Sequence, residues 1–145
     1  MRYQEPGFMT RNLFNPAVAF FTGRLGLSLR GSRVLAVRGR TSGEWRTTPV
    51  NPLTFDGHRY LVASRGITHW VRIIRVSGEG VLRKGRHEEL IRVVELPDTE
   101  KVPIIRAYLE RWSMETTKFF GLPGADAPDE EIARIAPNHP VFRIL

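Results

Sequence analysis

The sequence predicts an α+β domain built on a small barrel or strongly curled antiparallel sheet, with helices at its edges and end. Three observations carry that prediction. Short runs of β-forming residues are separated by turn signals, of which Asp56-Gly57 is the strongest. A later segment places Ile104, Ile105, Tyr108, Leu109 and Trp112 at helical spacing. The third observation is size: 145 residues, 41% hydrophobic and 26% charged, suffice for one core but not for two. A single domain over residues 1–145 is therefore expected.

Asn15-Pro16 reads as an N-cap with proline in the first helical position, where its missing donor is not needed. Phe14, Val18, Phe21 and Leu25 follow at helical spacing, giving an amphipathic helix over about 15–26 that Gly26 stops. Such a stripe is ordinarily a core face; peripheral membrane contact is its other use. Arg33–Arg38 is a short apolar strand. Residues 47–55 form a second, which Pro49 and Pro52 confine to an edge or a bulge because neither can donate to a ladder. Asp56-Gly57 turns the chain into a third strand, 58–64. A helix over about 68–76 ends at Ser77-Gly78. Residues 80–83 and 89–96 pair as a hairpin, a helix carries Ile104 to Trp112, a short helix spans 128–136, and 141–145 adds a last strand.

Charge divides unevenly along the chain: residues 1–92 carry +10 and residues 93–145 carry −3. Nineteen of the 22 basic residues are arginine, the better fork for carboxylate and phosphate. The basic part has no aromatic-basic surface motif or recognition helix, so a nucleic-acid partner is not expected. Cysteine is absent, which removes disulfides, thiolate metal ligands and thiol nucleophiles, and suits a reducing cytoplasm. No apolar run reaches the roughly 18 residues of a membrane span, and Met1–Thr10 lacks the pattern of a secretory signal.

Strand direction locates the candidate chemistry. If the first three strands form an antiparallel meander, the 39–46 connection and the Ser64-Arg65-Gly66 turn lie at one end of the sheet. Arg40, Arg46 and Arg65 then converge with the hydroxyls of Thr41 and Ser42, with Gly43 free to turn its amide inward. The helix beginning near Thr68 adds free backbone donors and the positive end of its dipole. This is an anion site for phosphate or carboxylates. His69 reads as a rim residue, and Trp45, Tyr60 and Trp70 stand where they could border a planar ring. No P-loop, dinucleotide-binding turn or nucleophile elbow occurs, and the four histidines lack metal-ligand spacing. The pattern suits a protein whose chemistry is carried by a bound cofactor while the chain supplies anion contacts and orientation.

The ordered set Gly39-Arg40-Thr41-Ser42-Gly43-Glu44-Trp45-Arg46-Thr47-Thr48-Pro49-Val50, Asp56-Gly57, Leu61-Val62-Ala63-Ser64-Arg65-Gly66, Trp70 and the closing His139-Pro140-Val141-Phe142-Arg143 resembles the deazaflavin-dependent nitroreductase family. The resemblance covers most of the chain from Asn15 onward. It implies a split β-barrel, usually dimeric, that binds coenzyme F-420, a deazaflavin with a phosphate and a polyglutamate tail. Reduced F-420 gives a hydride to a small activated acceptor such as a quinone, nitroaromatic or enone. By position, Arg40, Thr41, Ser42, Gly43 and Arg46 match the phosphate and tail loop, with Thr47 and Pro49 in the same run. Ala63, Ser64, Arg65 and Gly66 match the segment beside the ring, and Trp70 the tryptophan opening the next helix. Ser64 is the candidate proton donor. Two departures stand out: Ile73 replaces an asparagine common in the family, and the acceptor-side tyrosines have only Tyr108, Phe119 and Phe120 as candidates. The same barrel also serves flavin mononucleotide (FMN) enzymes and non-catalytic carriers of fatty acids or tetrapyrroles.

Overall fold

A computed structural model describes residues 32–39 and 41–145. The helix expected at 15–26 and Arg40 lie outside the described residues. The strands are β1 (Arg33–Arg38), β2 (Trp45–Val50), β3 (Leu53–Phe55), β4 (His58–Val62), β5 (Glu79–Lys84), β6 (His87–Glu95) and β7 (Val141–Ile144). The helices are α1 (His69–Ser77), α2 (Val102–Phe120) and α3 (Asp129–Ile135), with single 3-10 turns at Asp98–Glu100 and Ala136–Asn138. All strand pairings are antiparallel, in the order β2-β1-β5-β6-β7-β4-β3.

The expected second strand, 47–55, is two strands, and the meander drawn from it is incorrect. Its first part, β2, pairs with β1 from Arg33↔Val50 to Arg38↔Trp45, whereas β3 pairs only with β4. These two strands are the opposite edges of the sheet. Proline explains the position of both: Pro49 sits on an outer strand, and Pro52 in the break between them.

That break decides the shape of the sheet. Val50 and Leu53 are three residues apart, so their Cα atoms are separated by at most roughly 11 Å. In a flat sheet of this order the two edges would stand about 28 Å apart, six strand spacings. The sheet must therefore curl until its edges approach, which gives an α+β split β-barrel.

The remaining turns follow local chemistry. Asp56 (φ 52°) and Gly57 (φ 81°) are both left-handed, the tight-hairpin geometry that Asp-Gly favours, and they join Phe55 to His58. Gly78 closes α1 in the same conformation, its amide donating to Ile74 O at 2.8 Å.

Strand β4 shows how the core is divided. Leu61 and Ala63 face the barrel interior with Leu35, Val37, Leu82, Ile91, Phe142 and the α1 residues Val71 and Ile74. Tyr60 and Val62 face the other way, under Ile105, Tyr108, Leu109 and Ile132 of α2 and α3. With both faces covered, β4 reads as the continuous apolar run Tyr60-Leu61-Val62-Ala63. Arg75 ties α1 to Glu95 of β6, and Arg106 ties α2 to Asp129 of α3. No helix among the described residues is long and apolar enough to cross a membrane.

Leu61 is 1% exposed and sits in the barrel interior. Leu61→Ala is expected to cost about 2–5 kcal/mol in urea unfolding, whereas Val76→Ala, on an exposed residue, should stay within about 0.5 kcal/mol.

Candidate functional site

Strand β2, the turn after β4 and the first turn of α1 enclose a cavity of about 490 Å³. From β2 come Arg46, Thr47, Thr48, Pro49 and Val50; from the β4 turn, Ser64 and Arg65; from the start of α1, Thr68, His69 and Trp70. Tyr108 and Phe119 of α2 complete the wall. Curling the sheet, not a meander, brings these segments together: β2 and β4 belong to opposite halves of the strand order.

The lining combines cations with apolar surface. Arg46 and Arg65 bring permanent positive charge, and among the described residues no aspartate or glutamate lines the cavity. Arg65 lies over the Phe119 ring, its guanidinium carbon 5.0 Å from the centroid. The first turn of α1 has no acidic residue and no side-chain cap, so its leading amides keep their donor capacity and the helix dipole its positive end. The Thr68 hydroxyl is buried without a protein partner. A kink at Trp112 (φ −126°, ψ 34°) redirects α2, and Phe119 beyond it reaches the cavity wall.

The turn carrying Ser64 is held rigidly. Gly66 N–H donates to Ala63 O at 3.1 Å, and Ser64 N–H to Val62 O at 3.0 Å. Gly66 adopts φ 87°, and a Cβ there would meet Asn138 O at 3.4 Å. From the C-terminal segment, Pro140 O accepts from Ala63 N–H at 2.9 Å. His139 Nδ1 lies 2.9 Å from Ala63 O. A carbonyl oxygen can only accept, so neutral His139 carries its proton on Nδ1. Its ring stacks on Phe120 at 4.2 Å between centroids. Buried Lys101 donates to Ala136 O at 2.9 Å and pairs with Asp98 at 2.8 Å, fixing the turn that leads into His139.

The expected residues divide into three groups. Arg46, Thr47, Pro49, Ser64, Arg65 and Trp70 line the cavity; Trp70 also packs on Phe142 at 5.7 Å. Ala63 and Gly66 shape the turn without lining the cavity. Thr41, Ser42 and Gly43 occupy the β1–β2 turn, where Ser42 Oγ accepts from Glu44 N–H and Gly43 O accepts from Arg38, and they do not line it either. Tyr60 is core, and Trp45 lies beneath Arg38. Sequence reasoning missed Thr48, Val50, Asn51 and Val62. Thr48 and Val50 lie on the same strand as Arg46, and alternation along that strand was the available signal.

No family model matches the chain, and no curated protein matches it. Solved structures do share its fold. One is an F-420-H2 dependent reductase, FDR-A: 17% identity, TM-score 0.54, covering 80% of this chain and 95% of that one. Another is a FAD-binding protein from Mesorhizobium loti: 18% identity, TM-score 0.50, covering 88% of each chain. A third is HutZ, the heme storage protein from Vibrio cholerae: 9% identity, TM-score 0.51, covering 90% of this chain and 87% of that one. At these identities the likeness establishes the split-barrel fold.

Burial holds the His139 imidazole below its ordinary value of 6.5, and the Lys101 charge acts in the same direction; hydrogen bonds to the Ala63 and Ser64 backbone oppose them. A depressed native value means that the unfolded chain binds the proton more readily. The stability His139 contributes is fully present above pH 6.5 and is lost as pH falls from there through the lowered native value. His139→Asn keeps a donor for Ala63 O and removes the titration. Melting temperatures followed from about pH 8 to pH 5 should therefore fall less steeply in this variant than in the wild type.

Proposed function

We propose that this chain is an oxidoreductase that binds coenzyme F-420 in the Arg46–Ser64–Arg65 cavity and serves hydride transfer to a small activated acceptor, a quinone, nitroaromatic or enone. The observation that carries this reading is the convergence of Arg46 from β2, Ser64-Arg65 from the β4 turn and the first turn of α1 on one cavity that no carboxylate among the described residues lines.

The residues fit such a cofactor. Val50, Val62, Trp70 and Tyr108 give an apolar and aromatic wall for a planar tricyclic ring, and Thr68 offers a hydroxyl with no protein partner. Arg46 and Arg65 would hold the phosphate and the polyanionic tail; Thr41, Ser42 and Gly43 lie outside the cavity, in the turn that leads into β2. Arg40 precedes them in the sequence.

Bound in reduced form, the deazaflavin supplies the hydride. The chain's own residues would bind, orient and exclude water: the arginines would fix the anionic end, the aromatic wall would keep water from the ring, and Ser64 and Arg65 of the rigid 63–66 turn would border it. Ser64, half-buried at the cavity, is placed to deliver a proton from its hydroxyl to the reduced acceptor. A homodimer belongs to the same reading, and the outward residues Leu90 (56% exposed) and Val94 (42% exposed) of β6 offer apolar surface for it.

His69 on the cavity wall favours one competing reading, a tetrapyrrole carrier in which its imidazole meets the iron. Absorbance separates the two, because haem added to the protein would give a sharp Soret band that His69→Ala abolishes. A flavin mononucleotide enzyme would instead bind FMN more tightly than F-420.

Titration of the protein into oxidised F-420 should change the deazaflavin fluorescence saturably. Arg46→Ala with Arg65→Ala should weaken that binding by about 1.5–3 kcal/mol per lost charge-assisted contact, with the circular dichroism spectrum unchanged. Ser64→Ala should lower turnover of a quinone acceptor while leaving F-420 affinity within about twofold. Unaltered fluorescence at high micromolar protein contradicts the assignment.

A further inference from the structure

Alternation along β1 divides its residues between two faces. Leu35 and Val37 point into the barrel interior, so Val34 and Ala36 point outward. The antiparallel register sets Val81 of β5 beside Ala36, and Leu90 of β6 beside Val81, on that same outer face. Val34, Ala36 and Val81 are 1%, 0% and 2% exposed, yet neither apolar cluster of the described residues contains them. The outer face of β4 has its cover in α2 and α3, and among the described residues neither cluster supplies a counterpart over β1 and β5.

The buried band is two strands wide. On β2, Thr47 and Pro49, the register partners of Ala36 and Val34, are exposed, and so is Leu90 on β6. Burial this complete requires a packed layer, and two strands span about 10 Å, the width of one helix with its side chains. Residues 1–31, outside the described part of the chain, end where β1 begins, and among them Phe14, Val18, Phe21 and Leu25 recur at helical spacing. The connection over 26–32, with Gly26 and Gly31 in it, is long enough to reverse the chain, since about 2–6 residues suffice between a helix and a strand.

We propose that the outer face of β1 and β5 is a docking surface for the chain's own residues 14–25, with Phe14, Val18, Phe21 and Leu25 seated on Val34, Ala36 and Val81. Docking consumes the apolar stripe, so the segment is a fixed part of the barrel wall and not a peripheral membrane anchor. It leaves Leu90 and Val94 as apolar surface outside the covered band. The inference is independent of what the Arg46–Ser64 cavity binds.

The test is paramagnetic broadening of amide signals in the full chain. Because the sequence has no cysteine, A19C accepts a single nitroxide label, placed away from the stripe. The amides of Gly80 to Leu82 should broaden more strongly than those of Tyr60 to Val62, three strands further round the sheet. That pattern should persist when vesicles of phosphatidylcholine and phosphatidylglycerol are added, and should vanish when the label sits on one chain and nitrogen-15 on another. In unlabelled protein V18D/F21D, which charges the stripe, should lower the melting temperature, and A19D should change it little. Equal broadening of both sets, broadening of neither, broadening that vesicles remove, or a V18D/F21D chain that melts with the wild type overturns the docking. Broadening seen between chains but not within one assigns the face to a second copy and overturns it as well.

Discussion

Two residues, Asn51 and Pro52, between Val50 and Leu53 govern this fold. They join the two edges of a seven-stranded sheet, so the sheet can exist only if it bends until those edges meet. Prolines at 49 and 52 make the arrangement compatible with backbone chemistry, because both fall where no ladder partner is required on the far side. Curling creates an interior, which the apolar faces of β1, β5, β6, β7 and β4 fill and α1 plugs. It also creates a place where segments distant in the strand order come together, holding Arg46, Ser64 and Arg65.

Rigidity at that place comes from the end of the chain. The turn after β4 lies between the sheet and the segment from Ala136 to Pro140, and receives hydrogen bonds from both. A buried lysine, a buried histidine and an aromatic stack set that segment. Charge is thereby divided by role: buried Lys101 and His139 build the scaffold, and the exposed arginines Arg46 and Arg65 present cations toward solvent and the cavity. An exposed arginine outside a structural ion pair retains its capacity for an external anion.

Much of this was legible in the residues. Asp56-Gly57 gave its hairpin, Gly78 its helix stop, and the run from Ile104 to Trp112 its helix, because each rests on local backbone preference or spacing. The convergence of the Arg46 and Ser64-Arg65 segments was also legible, although the meander used to derive it was incorrect. Strand β2 stays antiparallel to β1 whichever edge its continuation joins, so the end of the sheet to which Arg46 belongs did not depend on the error. Edge exchange at Asn51-Pro52 was not legible, since it expresses a pairing choice between β3 and β4 made far along the chain. Nor was the kink at Trp112 that redirects α2 toward the cavity, where no proline or glycine marks the bend. Trp70 read as both ring border and packing residue, and it is both, on the cavity wall and against Phe142.

In the proposed function two separate segments, β2 and the turn into α1, act as one binding surface. A nitrogen-15 correlation NMR titration with oxidised F-420 tests this directly. The amides of Arg46 to Val50 and those of Ser64 to Trp70 should shift together along one saturation curve, while those of Arg33 and Arg59 stay still. Shifts confined to one segment, or two segments following different curves, would contradict it.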